Sequence, residues 1–239
     1  MQGTRDSQSI TTIGRRAFLL GAPLALAACT GNRVQEADIR RDVIDPLNRT
    51  FGTPDPSLVA YYGELDNEPF PVPALDVAHV DPQWLRQEVE YLGPQRPGTI
   101  VVNPAERHLY LVREQGRAIR YGVGVGREGF GWHGEATIKA KTPWPTWTPP
   151  AEMVARDPRA APYAKGMPGG PENPLGARAL YLFQGERDTL YRLHGTREPE
   201  SIGTAVSSGC VRLFNHDIID LYSRVPIGTS VVVLPTLVG

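Results

Sequence analysis

The second half of this chain of 239 residues predicts a mostly β domain with few short helices. After Pro97-Gly98, short runs rich in Val, Ile, Leu and Tyr alternate with residues that favour turns, which is the pattern of strands joined by tight connections. One segment of this half, residues 215–224, has apolar residues at helical spacing, at Ile218, Leu221 and Tyr222. These observations favour a sheet as the main element, with one amphipathic helix packed on it.

The strands of this half are separated by residues that break extended structure. Asn103-Pro104 and Gln115-Gly116 stand where the first three runs need turns. The last run is rich in valine and is typical of a buried strand. The predicted strands cover residues 99–102, 108–112, 118–123 and 230–234.

The first 28 residues have the order of an export signal. Arg15-Arg16 precedes an apolar run of eleven residues, 17–27, which suits a signal peptide and is too short to span a bilayer. The paired arginines, followed by Phe18 and Leu19, resemble a twin-arginine signal. We therefore expect residues 1–28 to be removed on export.

The residues around the cleavage point predict a lipid anchor. Residues 26–29, Leu-Ala-Ala-Cys, resemble a bacterial lipobox, which implies cleavage before Cys29 and attachment of lipid to it. Thr30 differs from the aspartate that resembles an inner-membrane retention signal. We therefore expect a periplasmic protein held to a membrane through lipid on Cys29, with the outer membrane favoured.

The charge of the exported chain argues against nucleic-acid binding. Without residues 1–28 the chain has 22 basic and 25 acidic residues, a net charge of −3, and no run of basic residues. Residues 29–96 are expected to form a tether with some helix, and residues 97–237 a catalytic domain. Within the tether we predict a short helix at 36–44 and a second helix that begins with Asp81 as its cap and Pro82 in its first turn.

The most informative motif is a histidine followed sixteen residues later by a cysteine. His194 precedes Gly195, and residues 207–212 read Ser-Ser-Gly-Cys-Val-Arg. Because Cys29 is expected to carry lipid, Cys210 is the remaining thiol in an oxidising compartment, which favours a functional role. A nearby imidazole can take the proton of the thiol, and the amides of Gly209 and Cys210 can stabilise an oxyanion. The alternative is a small buried cysteine in a turn, beside an unrelated histidine.

A second motif is rejected as a cofactor site. Residues 124–129 match the dinucleotide pattern G-x-G-x-x-G, but residues 130–134 do not open a helix and no acidic residue closes a βαβ unit. The five histidines lack the spacing of metal ligands, so we predict neither a cofactor nor a metal. His133 and His216 are expected at the surface or as capping residues, and Tyr181 and Tyr191 are expected to be structural.

Seven short sequence motifs follow one another in the second half of the chain. They are Leu109-Tyr110-Leu111, the glycine-rich residues 122–126, Pro-Thr-Trp-Thr-Pro-Pro at 145–150, Gly-Gly-Pro-Glu-Asn-Pro-Leu-Gly at 169–176, His194-Gly195-Thr196, Ile202-Gly203 and residues 207–212. In this order they resemble the catalytic domain of the L,D-transpeptidases, the YkuD-like family, in its periplasmic Gram-negative branch. The resemblance implies a mostly β, sandwich-like domain with few short helices.

The resemblance also implies roles for individual residues. Cys210 would be the nucleophile and His194 the base, with the Gly195 carbonyl orienting the imidazole. The amides of Gly209 and Cys210 would form the oxyanion hole. Substrate contacts are expected at Arg212, Ser207, Ser208 and Trp147, and Arg212 would either bind a substrate carboxylate or hold the turn.

Ser208 departs from the family pattern, and Trp147 has an open alternative. Many members of the family have a histidine where this chain has Ser208, so a role for a second histidine does not carry over. Trp147 either lines the substrate cleft or is a core aromatic.

The implied reaction is an acyl transfer on peptidoglycan stem peptides. The Cys210 thiolate would attack the carbonyl that joins diaminopimelate to a terminal D-alanine, and an amine would then resolve the thioester. A diaminopimelate amine would give a 3→3 cross-link, and an amine of an outer-membrane protein or lipoprotein would give a covalent tether. Water as acceptor would make the enzyme a carboxypeptidase or a hydrolase of protein–peptidoglycan links.

Two further alternatives belong to other classes. A papain-like wall peptidase places its cysteine before its histidine, whereas His194 precedes Cys210 here. A lipoprotein that binds peptidoglycan without catalysis would not need both residues.

Overall fold

The computed structural model describes residues 51–126, 132–156, 158–207 and 209–236, and strands dominate this part of the chain. The predicted mostly β class is confirmed. The expected signal segment, Cys29 and the helix at 36–44 lie outside the described residues. Among the described residues, no helix is long and apolar enough to cross a membrane.

The helices of the described segments are short. The α-helices are α1 (Pro56–Tyr61), α2 (Ala151–Arg156) and α3 (Asn215–Arg224). Single 3₁₀ turns cover Val77–His79, Pro82–Trp84, Ala161–Tyr163 and Pro199–Ser201. Helix α3 has the predicted bounds. It ends at Arg224 because Val225 precedes Pro226, and the residue before a proline disfavours helical backbone.

The four predicted strands are confirmed, each within one residue at its ends, and the described residues form seven others. The strands are β1 (Gln87–Glu90), β2 (Ile100–Asn103), β3 (His108–Arg113), β4 (Arg117–Gly122), β5 (Val125–Gly126), β6 (Gly134–Pro143), β7 (Arg178–Gln184), β8 (Arg187–His194), β9 (Ala205–Ser207), β10 (Val211–Arg212) and β11 (Ser230–Val233).

In the described part of the chain, nine of these strands form one sheet in the order β1-β4-β3-β2-β11-β6-β7-β8-β10. The pairs β2–β11 and β8–β10 are parallel, and the other neighbours in this sheet are antiparallel. A separate parallel pair joins β5 to β9. Strands β8 and β10 therefore lie at one edge of the sheet, where the candidate site forms.

Both halves of the sheet contribute to one core. Ile100 and Leu109 from one half share a buried cluster with Ile138 and Leu180 from the other. Helix α3 adds Ile218 and Leu221, both fully buried, as its apolar spacing predicts. A sheet whose two halves enclose the same core fits the expected sandwich-like arrangement.

Residues 51–96 differ from the tether that the sequence predicts. Tyr62 is fully buried in a second cluster with Leu85 and with Phe214 of the catalytic half. Asp81 does cap a turn, since its carboxylate accepts a hydrogen bond from the N–H of Gln83 at 3.1 Å. The turn ends after three residues, however, because the chain then joins the sheet as β1, paired with β4. Tertiary pairing here overrides the helical propensity.

The same segment corrects the expectation for His216. This residue is 5% exposed, and its Nε2 lies 2.7 Å from the carbonyl oxygen of Gly63. Burial lowers its pKa, so the ring is neutral and donates to that carbonyl. His216 is thus a buried contact between α3 and the N-terminal segment, whereas His133 is exposed as expected.

Candidate active site

The parallel pairing of β8 with β10 brings the two halves of the His–Cys motif together. Val211 lies opposite Leu193, and Arg212 lies opposite His194. Cys210 comes directly before β10, so it lies beside β8 just upstream of His194 along that strand. Residues sixteen positions apart in sequence therefore meet at the same edge of the sheet.

His194 is held in one orientation and in its neutral form. It is 4% exposed, and its Nδ1 lies 2.6 Å from the carbonyl oxygen of Gly195. A carbonyl only accepts, so Nδ1 carries the hydrogen and Nε2 keeps a lone pair. Burial lowers the pKa of His194 to about 4, although the Gly195 carbonyl acts in the opposite direction. The imidazole is therefore a neutral base at neutral pH.

The glycine after this histidine is required by close packing. A Cβ atom on Gly195 would collide with Oδ1 of Asn215, the first residue of α3. That Oδ1 accepts a hydrogen bond from the N–H of Ala177 at 3.0 Å, so it cannot move away without losing a partner. The N-terminal end of α3 thus braces the turn that orients the imidazole.

The thiol of Cys210 is partly buried at the edge of β8. Its sulfur lies 3.8 Å from the carbonyl oxygen of Leu190. Burial raises the pKa of this thiol, whereas the main chain of Arg192 and the charges of Arg192 and Arg212 act in the opposite direction. Gly209, directly before it, has φ +132°, a conformation that residues with a side chain rarely adopt. The resting form is therefore a thiol in a turn that needs glycine.

Arg212 holds the cysteine turn. Its guanidinium forms an ion pair with Glu198 at 2.8 Å, and its main chain forms two hydrogen bonds with Gly124 at 2.8 and 2.9 Å. Its charge also lowers the pKa of both His194 and Cys210. Of the two roles implied for Arg212, the structure supports holding the turn, and binding of a substrate carboxylate stays a prediction.

The other predicted substrate contacts are Trp147, Ser207 and Ser208. Trp147 pairs through its main chain with Met167, and its ring lies 6.5 Å from that of Tyr163. Ser207 ends β9, and Ser208 lies outside the described residues. Their substrate roles stay predictions.

Strand β8 supplies residues that the sequence analysis did not assign to the site. Arg192 binds Asp188 through two hydrogen bonds, at 2.7 and 2.8 Å, and its charge acts on both Cys210 and His194. Tyr191, expected to be structural, stacks near Trp132 at 5.7 Å, and burial together with the nearby Cys210 raises its pKa. The signal available in the sequence was their position two and three residues before His194, on the strand that leads to it.

The rejected dinucleotide motif continues as extended structure in the described residues. Gly124 forms a bridge with Arg212, and β5 pairs with β9, so this stretch helps to position the cysteine turn. No group of three or more His, Cys, Asp and Glu side chains in the described segments could hold a metal ion.

Comparison with known families agrees with this geometry. Residues 97–233 match the model of the YkuD family, the L,D-transpeptidase catalytic domain. This match covers more than half of the chain and contains every residue of the His–Cys site. The chain belongs to the L,D-transpeptidase family.

Relatives of this chain occur among Gram-negative proteins. It is 41% identical over 139 residues to the probable L,D-transpeptidase YbiS of Escherichia coli K12, and 36% identical over 141 residues to the probable L,D-transpeptidase ErfK/SrfK of the same strain. These alignments cover 55% and 56% of this chain but only 43% of each relative. The chain thus spans less than half of the length of these relatives.

A solved structure from Brucella melitensis, described as a probable carnitine operon oxidoreductase CaiA, is 51% identical and covers 65% of this chain and 96% of that one. Its TM-score is 0.46, and its name describes the Brucella protein only.

Proposed function

We propose that this chain is a peptidoglycan L,D-transpeptidase, a cysteine acyltransferase that acts on tetrapeptide stems. The observation that carries the proposal is the β8–β10 pairing, which places the Cys210 turn beside a neutral His194 whose Nδ1 is fixed by the Gly195 carbonyl. A thiol nucleophile needs a base near it, and this pairing supports that role for the two residues. Membership of the family supplies the class of substrate.

Acylation begins with the pair in its neutral form. As Sγ of Cys210 attacks the carbonyl between diaminopimelate and the terminal D-alanine, the thiol proton passes to Nε2 of His194. The C–S bond forms, and the carbonyl oxygen gains the negative charge. The main-chain amides of Gly209 and Cys210 donate hydrogen bonds to this oxyanion.

The intermediate then collapses to a thioester. The C–N bond to D-alanine breaks, and the leaving amine takes the proton that His194 received. Because burial lowers the pKa of His194, its imidazolium is a stronger acid than a free one and gives up this proton readily. Arg192 and Arg212 add positive charge that favours the thiolate as it forms.

An amine resolves the thioester in the second half of the reaction. His194, again neutral, accepts a proton from the attacking amine and passes it to the Cys210 sulfur as the C–S bond breaks. The acceptor is either a diaminopimelate side chain, which gives a 3→3 cross-link, or an amine of an envelope protein. Lipid on Cys29 would place the enzyme at a periplasmic membrane surface, with the outer membrane favoured.

Incubation of the chain without residues 1–28 with disaccharide-tetrapeptides, followed by mass spectrometry, tests the proposal. A dimer formed with loss of D-alanine supports a transpeptidase. A tripeptide product supports the same acylation with water as acceptor. An unchanged tetrapeptide, with Cys210 still able to react with an alkylating agent, contradicts the proposal and favours a binding protein.

A further inference from the structure

Strand β8 carries an irregularity next to the candidate nucleophile. Strand β7 pairs through Tyr181 with Arg192 and through Phe183 with Asp188. One residue of β7 therefore lies opposite three residues of β8, which form a bulge over 189–191. Leu190, in the middle of this bulge, has φ +63°, in the left-handed region that leucine rarely adopts.

The bulge is held by side chains on both sides of Leu190. The carboxylate of Asp188 accepts a hydrogen bond from the N–H of Leu190 at 2.8 Å, and the same carboxylate is fixed by Arg192. The hydroxyl of Thr189 donates to the carbonyl of Leu182 at 2.6 Å and accepts from the N–H of Tyr191 at 3.2 Å. These contacts stabilise a conformation that leucine alone would not favour.

Packing of the leucine side chain does not explain the bulge. Leu190 is 75% exposed, so its side chain contributes little to the core. The bulge instead sets the direction of main-chain groups. The carbonyl oxygen of Leu190 points at Sγ of Cys210 at 3.8 Å, and the main chain of Arg192 also faces this sulfur.

The carbonyl of Leu190 and the main chain of Arg192 have the spacing of two successive hydrogen-bonding partners in a parallel ladder. A residue in such a ladder bonds to the carbonyl of one residue and to the N–H of the second residue after it on the neighbouring strand. The Cys210 thiol meets Leu190 and Arg192 in this way, just before the ordinary pairing of Val211 with Leu193 begins. The side chain of Cys210 therefore continues the ladder that β10 starts.

We propose that the Leu190 bulge is a positioning element for the nucleophile: its carbonyl accepts the hydrogen of the resting Cys210 thiol and holds the sulfur beside β8. This inference rests on the proposed function only for the identity of the nucleophile. The Thr189 hydroxyl and the Asp188 carboxylate act indirectly, because they keep the Leu190 carbonyl in its direction.

The test compares three variants, each made in a chain that also carries Cys29→Ser so that Cys210 is its one thiol. Thr189→Val removes the hydroxyl that holds the bulge at nearly constant volume, and Thr189→Ser keeps it. Leu190→Gly keeps the left-handed backbone and removes the side chain. Thr229→Val is the matched control, because Thr229 is also buried and its hydroxyl donates to a turn carbonyl, that of Pro226, at 2.8 Å.

The direct measurement is the infrared S–H stretching band, which moves to lower frequency when a thiol donates a hydrogen bond. We expect the low-frequency band in the parent chain and in Thr189→Ser, Leu190→Gly and Thr229→Val. In Thr189→Val we expect it to move to higher frequency, because the thiol loses the Leu190 carbonyl as its acceptor. An unmoved band in Thr189→Val, or a moved band in Leu190→Gly, would overturn the proposal.

A kinetic measurement separates this proposal from the proposed function. We expect Thr189→Val to lower kcat on tetrapeptide by about 10²-fold with KM unchanged, the size of effect seen when a reacting group is misplaced. A low-frequency band in a parent chain that has no activity on tetrapeptide, together with a moved band in Thr189→Val, would refute the proposed function and leave the positioning role intact. If Thr189→Val does not fold, Leu190→Gly still decides, because a moved band there rejects the proposal and an unmoved band supports it.

Discussion

The ion pair between Glu68 and Arg178 should be one of the main links between the N-terminal segment and the catalytic sheet. The two side chains are 11% and 12% exposed, and they form two hydrogen bonds, one of them at 2.8 Å. The indole N–H of Trp144 also donates to the Glu68 carboxylate at 3.0 Å. Glu68→Ala would remove the common partner of both groups.

The expected loss of stability follows from the Arg178 guanidinium, which Glu68→Ala leaves without its carboxylate partner. A buried guanidinium without its carboxylate costs about 3–5 kcal/mol of unfolding free energy. For a domain of this size 1 kcal/mol corresponds to roughly 2–4 °C, so the Tm of Glu68→Ala should fall by roughly 6–20 °C. Arg178 lowers the pKa of Glu68, so the carboxylate stabilises the fold above its unfolded pKa of about 4.3, and this contribution is lost as pH falls through its folded pKa.

Denaturant and thermal unfolding at pH 7 measure this effect. The control is Glu186→Ala, which breaks the Lys139–Glu186 pair, because Glu186 is 96% exposed and such pairs contribute only about 0–1 kcal/mol. A loss below about 1 kcal/mol for Glu68→Ala, equal to that of the control, would refute the argument from burial. So would a difference between Glu68→Ala and the parent chain that is independent of pH below about 4.

Further predictions concern the site and a buried acid. Cys210→Ala should abolish turnover and leave the Tm within a few degrees of the parent, and turnover that survives would exclude this nucleophile. Gly195→Ala should lower both Tm and kcat, since its Cβ meets Asn215 Oδ1; unfolding curves and rates equal to those of the parent would contradict the packing argument. Burial raises the pKa of Asp217 to about 8, so the native state keeps a proton that the unfolded state releases above about pH 4. The free energy of unfolding should therefore fall by about 1.4 kcal/mol per pH unit as pH rises towards 8. Asp217→Asn should remove this slope, so unfolding free energies of the variant and the parent that run parallel from pH 5 to 8 would refute it.

Much of the fold could be predicted because its signals are local. The apolar spacing of α3 depends on residues three and four apart, and the valine-rich run of β11 is evident in five consecutive residues. The His194-Gly195 and Gly209-Cys210 pairs were also visible, since turns near reactive groups need particular residue types. The capping role of Asp81 was predicted correctly, but the sequence did not predict that the turn after it ends at Trp84.

Other features have no local signal. Glu68 meets Arg178 across 110 positions of the chain, so nothing near either residue predicts that residues 51–96 pack on the sheet. The bulge at Leu190 likewise depends on how β7 and β8 are paired. A leucine at this position does not predict a left-handed backbone.

The sequence by itself determined four of the strands, the helix α3, the family and the identity of the candidate nucleophile and base. The tertiary structure decided which charges act on them. Arg192 affects Cys210, and Arg212 affects His194, because parallel pairing aligns β8 with β10, and burial in the folded chain lowers the pKa of His194 further below neutral pH. Electrostatic effects depend on distance in space and on burial, and neither of these is a property of a residue's position along the chain.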